Sequence, residues 1–259
     1  MKRIGILHCI PTMEAGGAER QLALLAEAQR SEGRQIDVLL MRGGSNLDRL
    51  TRAGVPVHFV TSRPRHDPRQ LLEIMRIAKD TRATVIQTWL PRMDIGGGLA
   101  ARALGLGWVI AERSSALAYR DRWIDKFLRV RVGKYADAVV ANSQIGLDYW
   151  KARNHRGYLR HIPNALPLDE IAAAKAADHE TLGFFSKKSP LVLYVGRMSP
   201  EKRLDILLDT LEITCAGGTS VACLCGEGPL SAWVRAEIGR ASVGKECTIQ
   251  CRSRWSPYH

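Results

Sequence analysis

Short apolar runs alternate along the chain with segments whose apolar residues recur every three or four positions. Runs at Ile4–Ile10, Ile36–Met41, Val55–Val60, Val85–Trp89, Trp108–Glu112, Ala138–Ala141 and Tyr158–Ile162 predict strands. Between them lie helical patterns. Ala18–Arg30 sets Leu22, Leu25 and Ala26 on one face, and Gln70–Asp80 does the same with Leu71, Met75 and Ala78. Such alternation predicts a parallel sheet covered by helices on both sides, the doubly wound α/β architecture.

A second block follows Asn164. Residues 172–190 are rich in alanine and lysine, contain Gly183 and end at Pro190. They read as a helix and linker between a first, Rossmann-like domain at 1–171 and a second, partial domain at 191–259. Leu191–Val195 predicts a strand, and Leu204–Cys215 predicts a helix with Leu204, Leu207, Leu208 and Leu211 on one stripe. A strand at Ser220–Cys225, a helix at Ser231–Arg240 and a weaker strand at Cys247–Cys251 complete the pattern.

The chain is ordinary in apolar content, at 46%, but carries a formal charge of +12. The composition excludes a disordered chain, and the charge points to an anionic partner or to a basic solvated surface. Nucleic acid fits the charge, yet no nucleic-acid-binding module is recognisable, so none is expected as a partner. Cys9, Cys223 and Cys225 lie in strand-like runs, where reduced cysteine acts as a small hydrophobe. Neither Cys223-x-Cys225 nor Cys247-x-x-x-Cys251 has zinc-site spacing with a suitable histidine, and no metal is expected. Pro11 and Glu14 cut short the apolar run that follows Met1-Lys2-Arg3, which argues against a signal peptide. No apolar run is long enough to span a bilayer. The expected location is cytoplasmic, with the inner membrane face as the surface a basic protein would touch.

Candidate chemistry gathers in two glycine-bearing turns. Val195-Gly196-Arg197 is followed by Glu201-Lys202, so two cations stand five positions apart where a strand ends and a helical pattern begins. A turn of this kind lets a ligand approach the backbone while Arg197 and Lys202 converge on dense negative charge. Gly16-Gly17-Ala18-Glu19-Arg20 joins the first strand to the first helix, whose free N–H groups suit an anion; the alternative is a plain glycine-lined turn. Gly226-Glu227-Gly228-Pro229 has too few glycines for a dinucleotide fingerprint.

Together these segments resemble the retaining GT-B glycosyltransferases of family GT4. Ile6–Pro11 with Gly16–Arg20 resembles the family's opening strand and glycine loop. Val139-Val140-Ala141-Asn142-Ser143 is similar to a late strand of its first domain, and Ile162-Pro163-Asn164-Ala165 to its interdomain element. Tyr194–Arg197, Glu201-Lys202 and Gly226–Pro229 match the opening of its donor domain.

The resemblance implies a GT-B fold of two Rossmann-like domains, the second incomplete. It also implies transfer of a sugar from a nucleotide-diphosphate sugar to a glycan or lipid-linked acceptor, in bacterial polysaccharide, lipopolysaccharide or glycolipid synthesis. Arg197, Lys202, Gly16 and Gly17 would hold the donor diphosphate, and Gly196, Gly226, Glu227 and Gly228 would line the donor site. No cofactor and no metal would be needed, since the nucleotide sugar is itself a substrate. Arg113, Asn142 and Ser143 are acceptor-side candidates.

Two departures stand out. The family histidine expected after Trp108–Ala111 is replaced by Glu112-Arg113-Ser114-Ser115, so no catalytic residue is assigned. No Glu-x7-Glu pair follows Lys202, so the expectation is a chain truncated within the donor domain. A non-catalytic fragment or paralogue that binds an acceptor, a membrane or a partner transferase is the alternative. Finally, seven cations between Arg113 and Lys134 meet only Asp121 and Asp125, with Trp123, Phe127, Leu128 and Val132 interleaved. This reads either as a basic amphipathic helix on an anionic membrane, through Arg122, Lys126 and Arg129, or as a solvated helix packed on the sheet.

Overall fold

The computed structural model describes residues 4–61, 67–113, 123–153, 155–174, 190–215 and 221–241. Arg122, the strand expected at Cys247–Cys251 and most of the expected linker fall outside these residues. The chain divides into two units, Met1–Ala172 and Ala173–His259.

The first unit is a doubly wound α/β domain. Its strands are β1 (Gly5–Cys9), β2 (Gln35–Leu40), β3 (Val57–Phe59), β4 (Val85–Trp89), β5 (Gly107–Glu112), β6 (Ala138–Ala141) and β7 (Tyr158–His161). They form one parallel sheet in the order β3-β2-β1-β4-β5-β6-β7. Two helices, α1 (Gly17–Ser31) and α2 (Leu47–Arg52), follow β1 and β2. Their Leu22, Ala26 and Leu50 pack with Ile36, Val38 and Trp89 in one core. The helices α3 (Pro68–Asp80), α4 (Leu90–Leu104), α5 (Trp123–Gly133) and α6 (Gln144–Lys151) follow in turn. Ile74, Met93, Ala100 and Trp150 from this set pack with Leu7, Ile86 and Trp108 in a second core. The two cores lie on opposite faces because alternate residues of a strand point to opposite sides.

The seven strands expected in this unit are present, with shifted ends. The third is the most shortened: Pro56 has no N–H to donate, and the Val55 N–H bonds back to Leu50 O at 3.0 Å at the end of α2. The helix α4 is not evident from periodicity, since Gly96-Gly97-Gly98 weakens the pattern. Gly98 serves packing, because a Cβ there would collide with the buried Trp108 ring.

The second unit contains β8 (Leu191–Val195) and β9 (Val221–Cys225), a parallel pair, with α8 (Leu204–Cys215) and α9 (Ser231–Ala241). Met198, Leu204, Leu211, Leu224 and Val234 form its own small core. A short helix, α7 (Leu168–Ala173), follows β7 and carries Glu170, which pairs with Arg49 of α2.

Candidate functional site

In the second unit, both parallel strands end at the same edge and carry the two glycine-bearing turns there. Gly196 N donates to Cys225 O at 3.0 Å, Met198 N to Glu227 O at 2.9 Å and Leu230 N to Met198 O at 3.0 Å. The turns are thereby fused into one backbone ledge that brings Gly196, Gly226, Glu227 and Gly228 together. Gly226 has a φ of +150°, and a Cβ there would run into the Gly196 carbonyl. Gly228 N donates to Ser231 Oγ at 2.9 Å and so ties the ledge to the first residue of α9.

The cations flank this ledge. The Tyr194 hydroxyl donates to Arg197 O at 3.1 Å, which fixes the backbone of the turn. Residues Pro200–Lys202 form a single 3-10 turn. Ser199 Oγ donates to Glu201 at 2.6 Å. That bond, the backbone N–H of Glu201 and the nearby Arg197 and Lys202 hold the Glu201 carboxyl below its ordinary range. Arg197 and Lys202 are exposed, and among the described residues neither side chain makes a hydrogen bond or ion pair. Their neighbour Arg203 is instead tied to Asp205 at 2.7 Å. Two unspent cations beside a backbone ledge can take a diphosphate without first breaking an internal pair.

In the first unit, the strand order reverses between β1 and β4. Ligands of open α/β sheets bind beyond the carboxyl ends of the strands at such a point. Gly16 and Gly17 open α1 here. Glu19 folds back so that its carboxylate packs against Gly16, and Thr12 Oγ1 donates to it at 3.3 Å. The close approach expected for a ligand at Gly16 is thus occupied by a side chain of the same helix. Gly17 stays open, with nothing near the position of a Cβ. Leu90, at the end of β4, has a φ of +68° immediately before Pro91, a strained conformation for a leucine.

His8 and Trp89 lie beneath this edge. Trp89 Nε1 donates to His8 Nδ1 at 3.3 Å, which makes His8 Nε2 the donor to Gln29 Oε1 at 2.8 Å. Burial pushes the His8 pKa down to about 4, against the opposing pull of the Gln29 bond. His8 is a neutral, fully bonded core residue.

At the end of β5, Arg113 lies over the Trp89 ring, its guanidinium carbon 5.0 Å from the centroid. Its Nη1 donates to Asn164 Oδ1 at 3.0 Å, and Asn142 Nδ2 donates to the same oxygen at 3.3 Å. Asn164, a residue of the interdomain element, therefore joins two acceptor-side candidates. Arg113 Nε is buried and has no hydrogen-bond partner among the described residues. Burial lowers the Arg113 pKa, while adjacent Glu112 raises it. Ser143 does not join this group through a side-chain bond. Its Oγ accepts from Gly146 N at 3.2 Å and caps α6.

One expectation is overturned. Arg129 is not a membrane-surface residue: its side chain is only 3% exposed. Its Nε donates to Asp94 Oδ2 at 2.7 Å and its Nη2 to Glu112 Oε2 at 2.8 Å. Thr88 Oγ1 donates to Asp94 Oδ1 at 2.7 Å, and Trp150 Nε1 to Glu112 Oε2 at 2.8 Å. The physical reason is pairing, since two buried carboxylates require a cation and α5 turns Arg129 inward to supply it. Burial raises the Asp94 pKa first of all, with Glu112 adding to it, while Arg129 and the Thr88 bond act the other way. Lys126 is partly buried on the same helix.

Sequence reasoning also missed Gln21. Its amide donates to Ala165 O at 2.8 Å and accepts from Ala165 N at 2.7 Å, so α1 clamps the backbone just after Asn164. Among the described residues, no group of acidic, histidine and cysteine side chains could hold a metal ion, and no helix is long and apolar enough to cross a membrane.

The fold is shared with solved glycosyltransferases. The structure of Anabaena HepE in complex with UDP and glucose matches with a TM-score of 0.76 at 19% identity, covering 97% of this chain and 70% of that one. Sucrose-phosphate synthase from Thermosynechococcus elongatus matches with a TM-score of 0.74 at 16% identity, over 96% and 71%. The lipopolysaccharide outer core galactosyltransferase WaaB, in its apo form, gives 0.65 at 15% identity, over 96% and 68%. At these identities the likeness is one of fold, and the fold is GT-B. No curated protein matches the sequence. The family model described as Glycosyltransferase Family 4 matches residues 15–170, more than half of the 259, and the chain belongs to that family.

Proposed function

We propose that this protein transfers a hexosyl-type group from a nucleotide-diphosphate sugar to a glycan or lipid-linked acceptor, with retention at the anomeric carbon, in bacterial surface polysaccharide or glycolipid assembly. The observation that carries the reading is a pair of exposed cations, Arg197 and Lys202, unpaired among the described residues and standing beside the Gly196 and Gly226 ledge. Family membership and the UDP, glucose and UDP-glucose in the HepE structures support it.

In this reading Arg197 and Lys202 neutralise the diphosphate in the ground state. They then stabilise the charge that builds on the departing nucleotide as its bond to the sugar breaks. Fixed cations suffice for that task, so no metal bridge is invoked. Glu227 and Gly228 line the donor site. Arg113 and Asn142, joined through Asn164, serve the acceptor side, and Arg113 Nε, without a partner among the described residues, is the donor left over for an acceptor oxygen.

The test is calorimetric titration with UDP and a panel of nucleotide sugars, followed by an NMR assignment of the product's anomeric configuration. Binding of a nucleoside diphosphate and a retained configuration are expected. No affinity for any nucleoside diphosphate would overturn the reading, and an inverted product would overturn its retaining part.

A further inference from the structure

The turn of α5 that buries Arg129 directs a different set of residues outward. Ile124, Phe127 and Arg131 recur at helical spacing on the side of α5 away from Arg129, and Lys134, just past the helix end, continues the spacing. Ile124 is 50% exposed and Phe127 56%, and the Arg131 guanidinium lies 5.6 Å from the Phe127 centroid. The stripe continues into an open cavity of about 600 Å³, rimmed by Arg102, Arg131, Lys134 and Arg156. Leu99, Val132 and Tyr135 supply its apolar lining, and no acidic side chain is among the lining residues described. None of the four cations makes a hydrogen bond or ion pair among the described residues.

The position of the cavity separates it from the candidate residues of the first unit. The cavity lies where α4 ends before β5, where α5 ends before β6, and beside Arg156 just ahead of β7. It therefore sits at the amino-terminal edge of the sheet, whereas Gly17, Arg113 and Asn142 sit at the carboxyl-terminal edge.

We propose that this surface docks the protein onto an anionic phospholipid bilayer. Four cations with no counter-ion among the described residues match a surface of phosphate headgroups. Exposed Ile124, Phe127 and Leu99 gain by entering the interfacial layer of lipid, where aromatic and aliphatic side chains are favoured. The apolar stripe favours lipid over nucleic acid, because a phosphodiester backbone offers no apolar phase to receive it. The docking surface does not depend on the glycosyl-transfer reading, since it uses none of the residues assigned to donor or acceptor.

The test is co-sedimentation of the full chain with vesicles of phosphatidylcholine and phosphatidylglycerol at about 2:1, compared with pure phosphatidylcholine. Salt-sensitive binding to the anionic vesicles alone is expected. The variant Arg131→Ala with Lys134→Ala should bind about thirtyfold more weakly, each cation being worth about fivefold at an anionic surface. Phe127→Ala should also weaken binding. Arg30→Ala with Arg34→Ala, which removes the same charge from exposed positions around the end of α1, should leave binding nearly unchanged. The variants alter exposed or partly exposed positions, so an unfolding transition like that of the parent verifies that they fold.

Absence of binding to the anionic vesicles overturns the proposal. So does an equal loss in the Arg30 and Arg34 variant, which would reduce the effect to net charge. Tighter binding to duplex DNA than to vesicles, lost in the same Arg131 and Lys134 variant, would overturn it in favour of nucleic acid. UDP titration of the same samples separates a failure here from a failure of the donor-site reading.

Discussion

Arg129 and Glu112 are joined at 2.8 Å within the first domain, and the join fixes the residue that immediately precedes Arg113. Glu112 closes β5, so a buried cation on α5 anchors the strand end from which the acceptor-side candidate Arg113 projects. Asp94 on α4 completes the anchor. The network links α4, α5 and β5 below the carboxyl edge of the sheet.

Removing the cation should therefore be costly. Arg129→Ala leaves Asp94 and Glu112 buried without their counter-charge, and a loss of about 3–5 kcal/mol in unfolding free energy is expected. A triple variant, Asp94→Asn, Glu112→Gln and Arg129→Met, removes all three charges and should recover much of that loss. Urea unfolding monitored by tryptophan fluorescence checks both. Equal destabilisation of the two variants would show that shape, not uncompensated charge, dominates.

His8 should make the fold acid-sensitive. Its pKa is about 4 in the folded protein against an ordinary 6.5. The unfolded chain thus binds a proton between these values that the folded chain refuses. The stabilisation is complete above pH 6.5 and is lost as pH falls towards 4, by on the order of 3 kcal/mol in total. Denaturant unfolding at pH 7 and near the lower value should show a smaller fall for His8→Gln than for the parent protein. An identical fall in both would assign the acid sensitivity to other groups.

Nucleotide binding should depend on each donor-side cation separately. Arg197→Ala and Lys202→Ala are each expected to weaken UDP binding by about 1.5–3 kcal/mol, the scale of a charge-assisted hydrogen bond. Arg203→Ala should change it little, because Arg203 is already paired with Asp205. Calorimetry showing the parent affinity in both of the first two variants would remove these residues from the site.

The backbone ledge should tolerate no side chain at its centre. Gly226→Ala would place a methyl group against the Gly196 carbonyl, at a φ that alanine rarely adopts. Loss of UDP binding with an unfolding transition of the first domain left in place is the expected result. Full UDP affinity in this variant would show that the ledge yields or takes no part in binding.

Much of the site was legible because it is written in local motifs. Gly196, Arg197 and Lys202 follow a strand directly, so their position at a carboxyl edge follows from the strand–turn–helix pattern alone. Glycine pairs and cations at short spacing need no distant partner to be noticed. Arg129 was not legible, because within its basic stretch it looks like Arg131. The two differ only in which face of α5 they occupy and in what faces them, and Asp94 and Glu112 come from other elements. Gln21 and Ala165 are 144 positions apart, and no local pattern announces their contact. Asn164 was read as part of a motif, yet its role as the acceptor shared by Arg113 and Asn142 depends on three separate chain segments.

The sequence alone determined the alternation of strands and helices, the parallel sheet it implies and the placement of the glycine-bearing turns, because these depend on periodicity and short-range backbone chemistry. Tertiary structure decided which charges are spent and which are free. Arg129 is consumed by two buried carboxylates, and Glu19 lies across the turn at Gly16. Arg197 and Lys202 stay exposed and without a side-chain partner among the described residues, and Arg102, Arg131, Lys134 and Arg156 converge on one cavity. A charge's availability is set by its neighbours across the fold, and those neighbours are assembled only when the sheet and its helices pack.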